Sequence, residues 1–285
     1  MAVMKEITAD MIRELRERTG VGMGKCKEAL VLAEGDLDKA IEVLRKAGMA
    51  SAVKKEGRET KEGIIASLED AHHLVLLEAN AETDFVVGSD RFKHFIHDCV
   101  KQALETKPAA LEDFINQPYY KDKSITIEQY RNLVIQALGE NIQLRRLQVI
   151  TKHPNSSYGL YSHMGGKLVV TVEVEGAHGQ DAIAKEIAMH AAAESPEYLR
   201  TSEIPADIIA REEEIARSQV QGKPANVVDK IIAGKVKAYA DQFCLVDQKY
   251  IKDSSVTVQQ FLDAHAKKIG KPLSVKCFWR WKVGQ

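Results

Sequence analysis

The feature that most constrains this chain is a signature that occurs twice. Thr126-Ile127-Glu128-Gln129 and Thr257-Val258-Gln259-Gln260 each place Thr three residues ahead of Gln, the pattern of a helix-opening capping box. They lie 131 residues apart, and the same offset takes Tyr130 to Phe261, Leu138 to Ile269, Gly139 to Gly270, Ile142 to Leu273 and Leu144 to Val275. Matched residue types across a helix, its glycine stop and the strand that follows indicate an internal repeat. Towards the front of the repeat Ile64 corresponds to Leu160, an offset of only 96, so the second copy should hold an insertion of the difference, 35 residues.

Each copy reads as β-β-α-α-β. In the first, residues 64–68 and 74–79 have strand character around a turn at Asp70–His73. A helix follows with Phe92, Phe95, Ile96, Cys99, Val100 and Ala103 on one face, then the capping-box helix and a strand over 142–149. In the second, strands over 160–163 and 168–174 flank Gly165-Gly166, and a helix places Ile183, Ile187 and Ala191 on one face. The insertion is expected at about 205–241. Helices over 207–220 and 225–240, joined by Gln221-Gly222-Lys223-Pro224, should form an antiparallel hairpin with a seam of Ile208, Ile215, Val227, Val228, Ile231 and Ile232. Ahead of the repeat, three short helices are marked by Thr8 and Asp36 as caps and by Gly20, Gly35 and Gly48 as stops. The fold class is therefore α+β. Expected boundaries are a helical module at 1–54, a charged linker at 55–62, one core subdomain at 63–152 and a second at 153–285.

Charge narrows the function classes. With 40 Lys+Arg against 41 Asp+Glu the net charge is −1, unlike the basic field of a domain built to grip nucleic acid. No run approaches the ~20 apolar residues of a membrane span. The start, Met1-Ala2-Val3-Met4-Lys5-Glu6, lacks the order of a signal peptide, so a cytoplasmic location is expected. Cys26, Cys99, Cys244 and Cys277 are widely spaced and read as reduced thiols.

Motifs for bond chemistry are missing. In Gly20-Val21-Gly22-Met23-Gly24-Lys25 the glycines stand too close for a phosphate loop, and Cys26 occupies the Ser/Thr position. His94 and His97 face away from the apolar side of their helix and lack a third metal ligand at recognised spacing. Neither an enzyme nor a cofactor is indicated. The ending Phe278-Trp279-Arg280-Trp281-Lys282 alternates like a strand, with one aromatic face in the core and Arg280 and Lys282 solvated; an RNA-stacking role, helped by the 54–61 linker, is the competing reading. The segment Thr83-Asp84-Phe85-Val86 falls where a strand hands over to a helix, outside the Phe92 face. Composition alone favours Phe85 tucked under its own sheet. The alternative is an exposed aromatic on a rigid edge, a typical interface anchor, with Asp84 as a local cap or a partner contact.

Taken together, several pieces resemble the bacterial elongation factor Ts family, over nearly the whole chain. Leu15-Arg16-Glu17-Arg18-Thr19-Gly20 followed by Val21-Gly22-Met23 looks like its opening motif, and Thr83-Asp84-Phe85-Val86 like its central signature. Gly139-Glu140-Asn141-Ile142, leading to Arg145-Arg146, and Ile187-Ala188-Met189-His190-Ala191 match two more, in the right order. The resemblance implies a guanine-nucleotide exchange factor for elongation factor Tu in its GDP-bound and nucleotide-free forms. It implies a ubiquitin-associated-like helical module, two related core subdomains and a coiled-coil arm. Phe85 would be a wedge near the partner's magnesium and nucleotide, flanked by Thr83, Asp84 and Val86. Arg16 and Met23 would touch the partner's nucleotide-binding domain and His163 another part of it. A homodimer or heterotetramer is compatible with the resemblance; direct binding of nucleotide, membrane or nucleic acid is not expected. Two departures matter. Gly24 stands where the family often has a second Met, and the contacts of a further C-terminal helical module that some members carry are not transferred here.

Overall fold

The computed structural model describes residues 7–219 and 225–285. The turn expected at 221–224 and the start at 1–6 lie outside the described residues. Contacts divide the chain into two units, residues 1–151 with 282–285 and residues 152–281.

The first unit opens with α1 (Ala9–Thr19), α2 (Met23–Leu32) and α3 (Leu37–Lys55). Thr8 caps α1 by accepting from the Met11 amide, and Asp36 caps α3 by accepting from Asp38 and Lys39. Gly20 ends α1 in the left-handed region at φ 67°. Gly48, by contrast, does not stop α3, which runs seven residues further to Lys55. A Cβ there would stand 3.4 Å from the Asn132 carbonyl, so the missing side chain lets α3 press its backbone against a neighbouring helix. The cost of glycine in a helix interior is offset by that contact.

Next come β1 (Glu62–Glu69), β2 (His73–Ala81), α4 (Asp84–Gly88), α5 (Asp90–Thr106), α6 (Leu111–Ile115), the short pair β3 (Pro118–Tyr119) and β4 (Asp122–Thr126), α7 (Ile127–Leu138) and β5 (Ile142–Thr151). Helix α7 is the neighbour that receives Gly48. The sheet order is β1-β2-β5, with antiparallel pairing on both sides of β2. The expected apolar face of α5 is buried throughout, and its residues join Leu15, Leu30 and Leu44 of the leading helices in one continuous core. The three helices thus share the core of the first sheet, which resolves how so few residues hold a fixed arrangement.

The second unit holds β6 (Ser156–His163), β7 (Leu168–Glu175), α8 (Asp181–Glu194), α9 (Ala206–Ser218), α10 (Ala225–Phe243), β8 (Lys249–Tyr250), β9 (Asp253–Thr257), α11 (Val258–Ile269) and β10 (Ser274–Lys282), in sheet order β10-β7-β6. Both Thr126 and Thr257 form complete capping boxes. The short pairs obey the same spacing: Pro118↔Thr126 and Tyr119↔Asp122 become Lys249↔Thr257 and Tyr250↔Asp253, each residue displaced by 131. The central strands β2 and β7 each bury a glutamate. Glu78 accepts from Arg146 at 2.6 Å and from the Gly284 amide at 2.9 Å; Glu173 accepts from Ser156 at 2.8 Å and Lys276 at 3.2 Å. Among the described residues of α9 and α10, Ala216, Ile232 and Ala240 are buried, whereas Ile215 and Val227, expected in the seam, are exposed.

Candidate functional site

The site is built where the first sheet ends. Register aligns Ala81 of β2 with Ile142 of β5, the last ladder pair. Extending that register would oppose Glu82 to Asn141 and Thr83 to Glu140, and there side chains take over from the backbone. The Asn141 amide donates to Glu82 Oε1 at 2.6 Å. The Thr83 amide donates to Glu140 Oε2 at 3.0 Å, and the Thr83 hydroxyl to Glu140 Oε1 at 2.7 Å. Asn141 Nδ2 reaches the Arg58 carbonyl at 2.9 Å, tying in the segment after α3. Hydrogen bonds to a charged acceptor are the stronger kind.

Thr83 is also the cap of α4. Its hydroxyl oxygen accepts from the Val86 amide at 3.4 Å, so the capping role left open for Asp84 belongs to Thr83. One turn on, Ser89 bonds the Val86 carbonyl at 2.7 Å and caps α5. Helix α4 is therefore held at both ends, and its faces divide sharply. Val86 and Val87 are buried in the core, while Asp84 and Phe85 point outward. Phe85 is 87% exposed. The sequence holds seven Phe, eight Tyr and two Trp, and among these, all within the described residues, Phe85 alone is exposed. Burial of Phe85 under its sheet, which composition favoured, is thus overturned: Val86 and Val87 already fill the inward face. Val86, also expected among the partner contacts, is turned into the core in the free chain and anchors the turn.

The Elongation factor TS family model matches residues 82–285, a span that opens at this clasp. The chain is 52% identical over 282 residues to the Elongation factor Ts of Protochlamydia amoebophila (strain UWE25), covering 99% of this chain and 100% of the relative. It is 41% identical over 281 residues to that of Chlamydia muridarum (strain MoPn / Nigg), again over 99% and 100%. The chain belongs to the elongation factor Ts family. Membership places it among translation elongation factors, and no helix among the described residues is long and apolar enough to cross a membrane.

The structure of this family member places the remaining predicted residues as follows. Arg16 is exposed on α1, and Met23, 49% exposed, opens α2. The α1–α2 corner is fixed by Arg91 at the start of α5, whose guanidinium lies against Gly20 and donates to the Thr19 carbonyl at 2.7 Å. Arg16, Gly20 and Arg91 line one groove. Elements carrying Arg16 and Phe85 are thus linked through Arg91 and Ser89. His163 belongs to the second unit, exposed at the end of β6, with Nδ1 3.1 Å from the Tyr161 hydroxyl. Met164 beside it is exposed with φ 49°.

Other motif residues turn out to build the fold. His190 is fully buried: its Nε2 donates to Gln248 at 3.0 Å and its Nδ1 accepts from the Ile251 amide at 3.2 Å. Burial lowers its pKa, and the amide donor keeps Nδ1 unprotonated. Asp98 accepts from Tyr119 at 2.6 Å, Tyr120 at 2.9 Å and Lys121 at 2.7 Å; burial pushes the carboxyl up, but these donors outweigh it and hold it low. Burial raises the thiols of Cys26, Cys99, Cys244 and Cys277. His94 donates to the carbonyl of Asp90 on its own helix, an ordinary surface histidine. Trp279 and Trp281 are half-buried, and Arg280, expected in solvent, is half-buried and bonds Ser195 at 2.6 Å. Sequence reasoning alone does not single out Glu140, Arg91 and Asn141 as site residues. The Gly-Glu-Asn-Ile motif was the available signal, but nothing in it names Thr83 as the partner.

Proposed function

We propose that this chain is a guanine-nucleotide exchange factor that binds elongation factor Tu carrying GDP and promotes GDP release during translation elongation. The observation that carries this reading is the single exposed aromatic, Phe85, on a turn capped at both ends and clasped to the sheet. Exposed single apolar residues are common on protein surfaces. An exposed Phe on a rigid turn is different, because docking it loses little conformational entropy.

An exchange factor makes and breaks no covalent bonds. It must bind the nucleotide-free partner more tightly than the GDP form, and by linkage GDP weakens its grip by the same factor. Burying one Phe contributes about 1.5–3 kcal/mol. If burial occurs only when the nucleotide site is disturbed, that is roughly one to two decades of differential affinity. Asp84 adds a carboxylate beside the wedge. Near a magnesium diphosphate it repels the anion and competes for the cation, among the largest charges holding the nucleotide. Arg16, Met23 and His163 supply further contacts, since one wedge gives too little discrimination. Residues 1–54 act as a ubiquitin-associated-like module joined by 55–62 to core subdomains at 63–152 and 153–285, with the 205–241 hairpin as a coiled-coil arm. The test is to add the chain to elongation factor Tu loaded with labelled GDP, with excess unlabelled GDP. The expected result is accelerated loss of label at substoichiometric amounts of the chain; an unchanged rate would overturn the reading.

A further inference from the structure

We infer that Glu140 is a positioning residue for exchange: its carboxylate sets the direction in which α4 presents Phe85. This rests on the wedge reading above. Residue 140 is 57 positions from Thr83 in sequence, yet it holds both the amide and the hydroxyl of that residue. Thr83 is the cap from which α4 starts, and Phe85 lies two residues on. The turn has only five residues, so its axis is set by how its two ends are held, and Thr83 is the end that the sheet holds. Backbone pairing cannot do this, because the ladder ends at Ala81 and Ile142. The two buried valines and Ser89 hold the inner face and far end of α4, and the Glu140–Thr83 pair holds the end nearest Phe85.

The second copy of the repeat supports the assignment by contrast. Adding 131 takes Glu140 to Lys271, and the chain passes from the end of β7 at Glu175 through 176–180 into α8 with no helical turn like α4. The carboxylate occurs in the copy that has an outward aromatic to aim, and is replaced in the copy that has none.

Chemistry distinguishes action by geometry from action by charge. If it acts by geometry, Glu140→Gln should largely preserve function. A glutamine oxygen can accept from the Thr83 amide while its NH2 donates to the Thr83 hydroxyl oxygen, which still has a lone pair for Val86. Glu140→Ala removes both acceptors and leaves Thr83 held only by its own turn.

The experiment uses the full chain with elongation factor Tu and labelled GDP, measuring the stimulated release rate against factor concentration for wild type, Glu140→Ala, Glu140→Gln, Phe85→Ala and the Glu140→Ala/Phe85→Ala double variant. Hydrogen exchange of the Val86 and Val87 amides is followed in parallel. Glu140→Ala should lower stimulated release about tenfold, expose those amides, and leave the helical content unchanged. Glu140→Gln should recover most of the loss. In the Phe85→Ala background, Glu140→Ala should have no further effect, because there is no ring left to aim. An additive loss in the double variant, a Glu140→Gln variant as impaired as Glu140→Ala, or full release by Glu140→Ala would each overturn the positioning role while leaving the wedge standing. If Phe85→Ala alone leaves release unchanged, the wedge reading falls and the positioning role falls with it.

Discussion

Phe85 and Val86 are consecutive residues on one helical turn, yet truncating them should have opposite consequences. Phe85 is 87% exposed, so Phe85→Ala removes almost no buried surface from the folded chain, and stability should stay within about 0.5 kcal/mol of wild type. Val86 is 9% exposed, and Val86→Ala deletes two core methyl groups at a cost of about 1–2 kcal/mol. Exchange should show the reverse ranking. Under the proposed wedge role, losing the ring should forfeit roughly 1.5–3 kcal/mol of burial in the partner and lower stimulated GDP release by about 10- to 150-fold. Val86→Ala leaves the ring in place and should cost less. Stopped-flow release of fluorescent GDP from elongation factor Tu, with thermal melts of the free variants, measures both columns. A Phe85→Ala chain that melts several degrees lower and exchanges normally would refute the reasoning, because Phe85 would then be a core residue.

Three further outcomes follow from the geometry. His190 is held neutral by burial, so its stabilising contribution is complete above its unfolded value near 6.5 and is lost as pH falls below it, by up to about 1.4 kcal/mol per pH unit until the lowered folded pKa is reached; urea titrations at several pH values should show that slope in wild type and a shallower one in His190→Gln. Gly20→Ala places a Cβ at φ 67° and 1.9 Å from the Arg91 guanidinium, so it should destabilise by more than about 1 kcal/mol and displace Arg91 from Thr19, read by thermal melting. Thr126→Ala and Thr257→Ala remove matching capping boxes and should each cost about 1 kcal/mol by chemical denaturation.

Features legible in the sequence are those written locally. Thr126 with Gln129 and Thr257 with Gln260 announce their helices because a capping box is closed within four residues, and Gly139 and Gly270 end them because only the left-handed region is needed. The face of α5 shows because its period is that of the helix. What stayed hidden depends on partners distant in sequence. The helical pattern stops at Gly48 unless one knows that α7 lies against it. The two-residue strands β3 and β8 are too short for any period. Phe85 could not be placed from its neighbours, since Val86 and Val87 winning the inward positions is a result of packing. The clasp itself joins residues 57 apart, so the Thr-Asp-Phe-Val and Gly-Glu-Asn-Ile motifs look independent in the sequence and become one structure only when β2 pairs with β5.

If the proposed exchange activity holds, the chain and GDP compete, through linkage, for elongation factor Tu. The most direct measurement is to form the complex with nucleotide-free elongation factor Tu, follow it by size-exclusion chromatography with light scattering, and titrate GDP with magnesium. The expected result is a stable complex that GDP dissolves, with affinity for the chain falling as GDP saturates the partner. A complex whose stability is indifferent to GDP, or no complex at all, would contradict it.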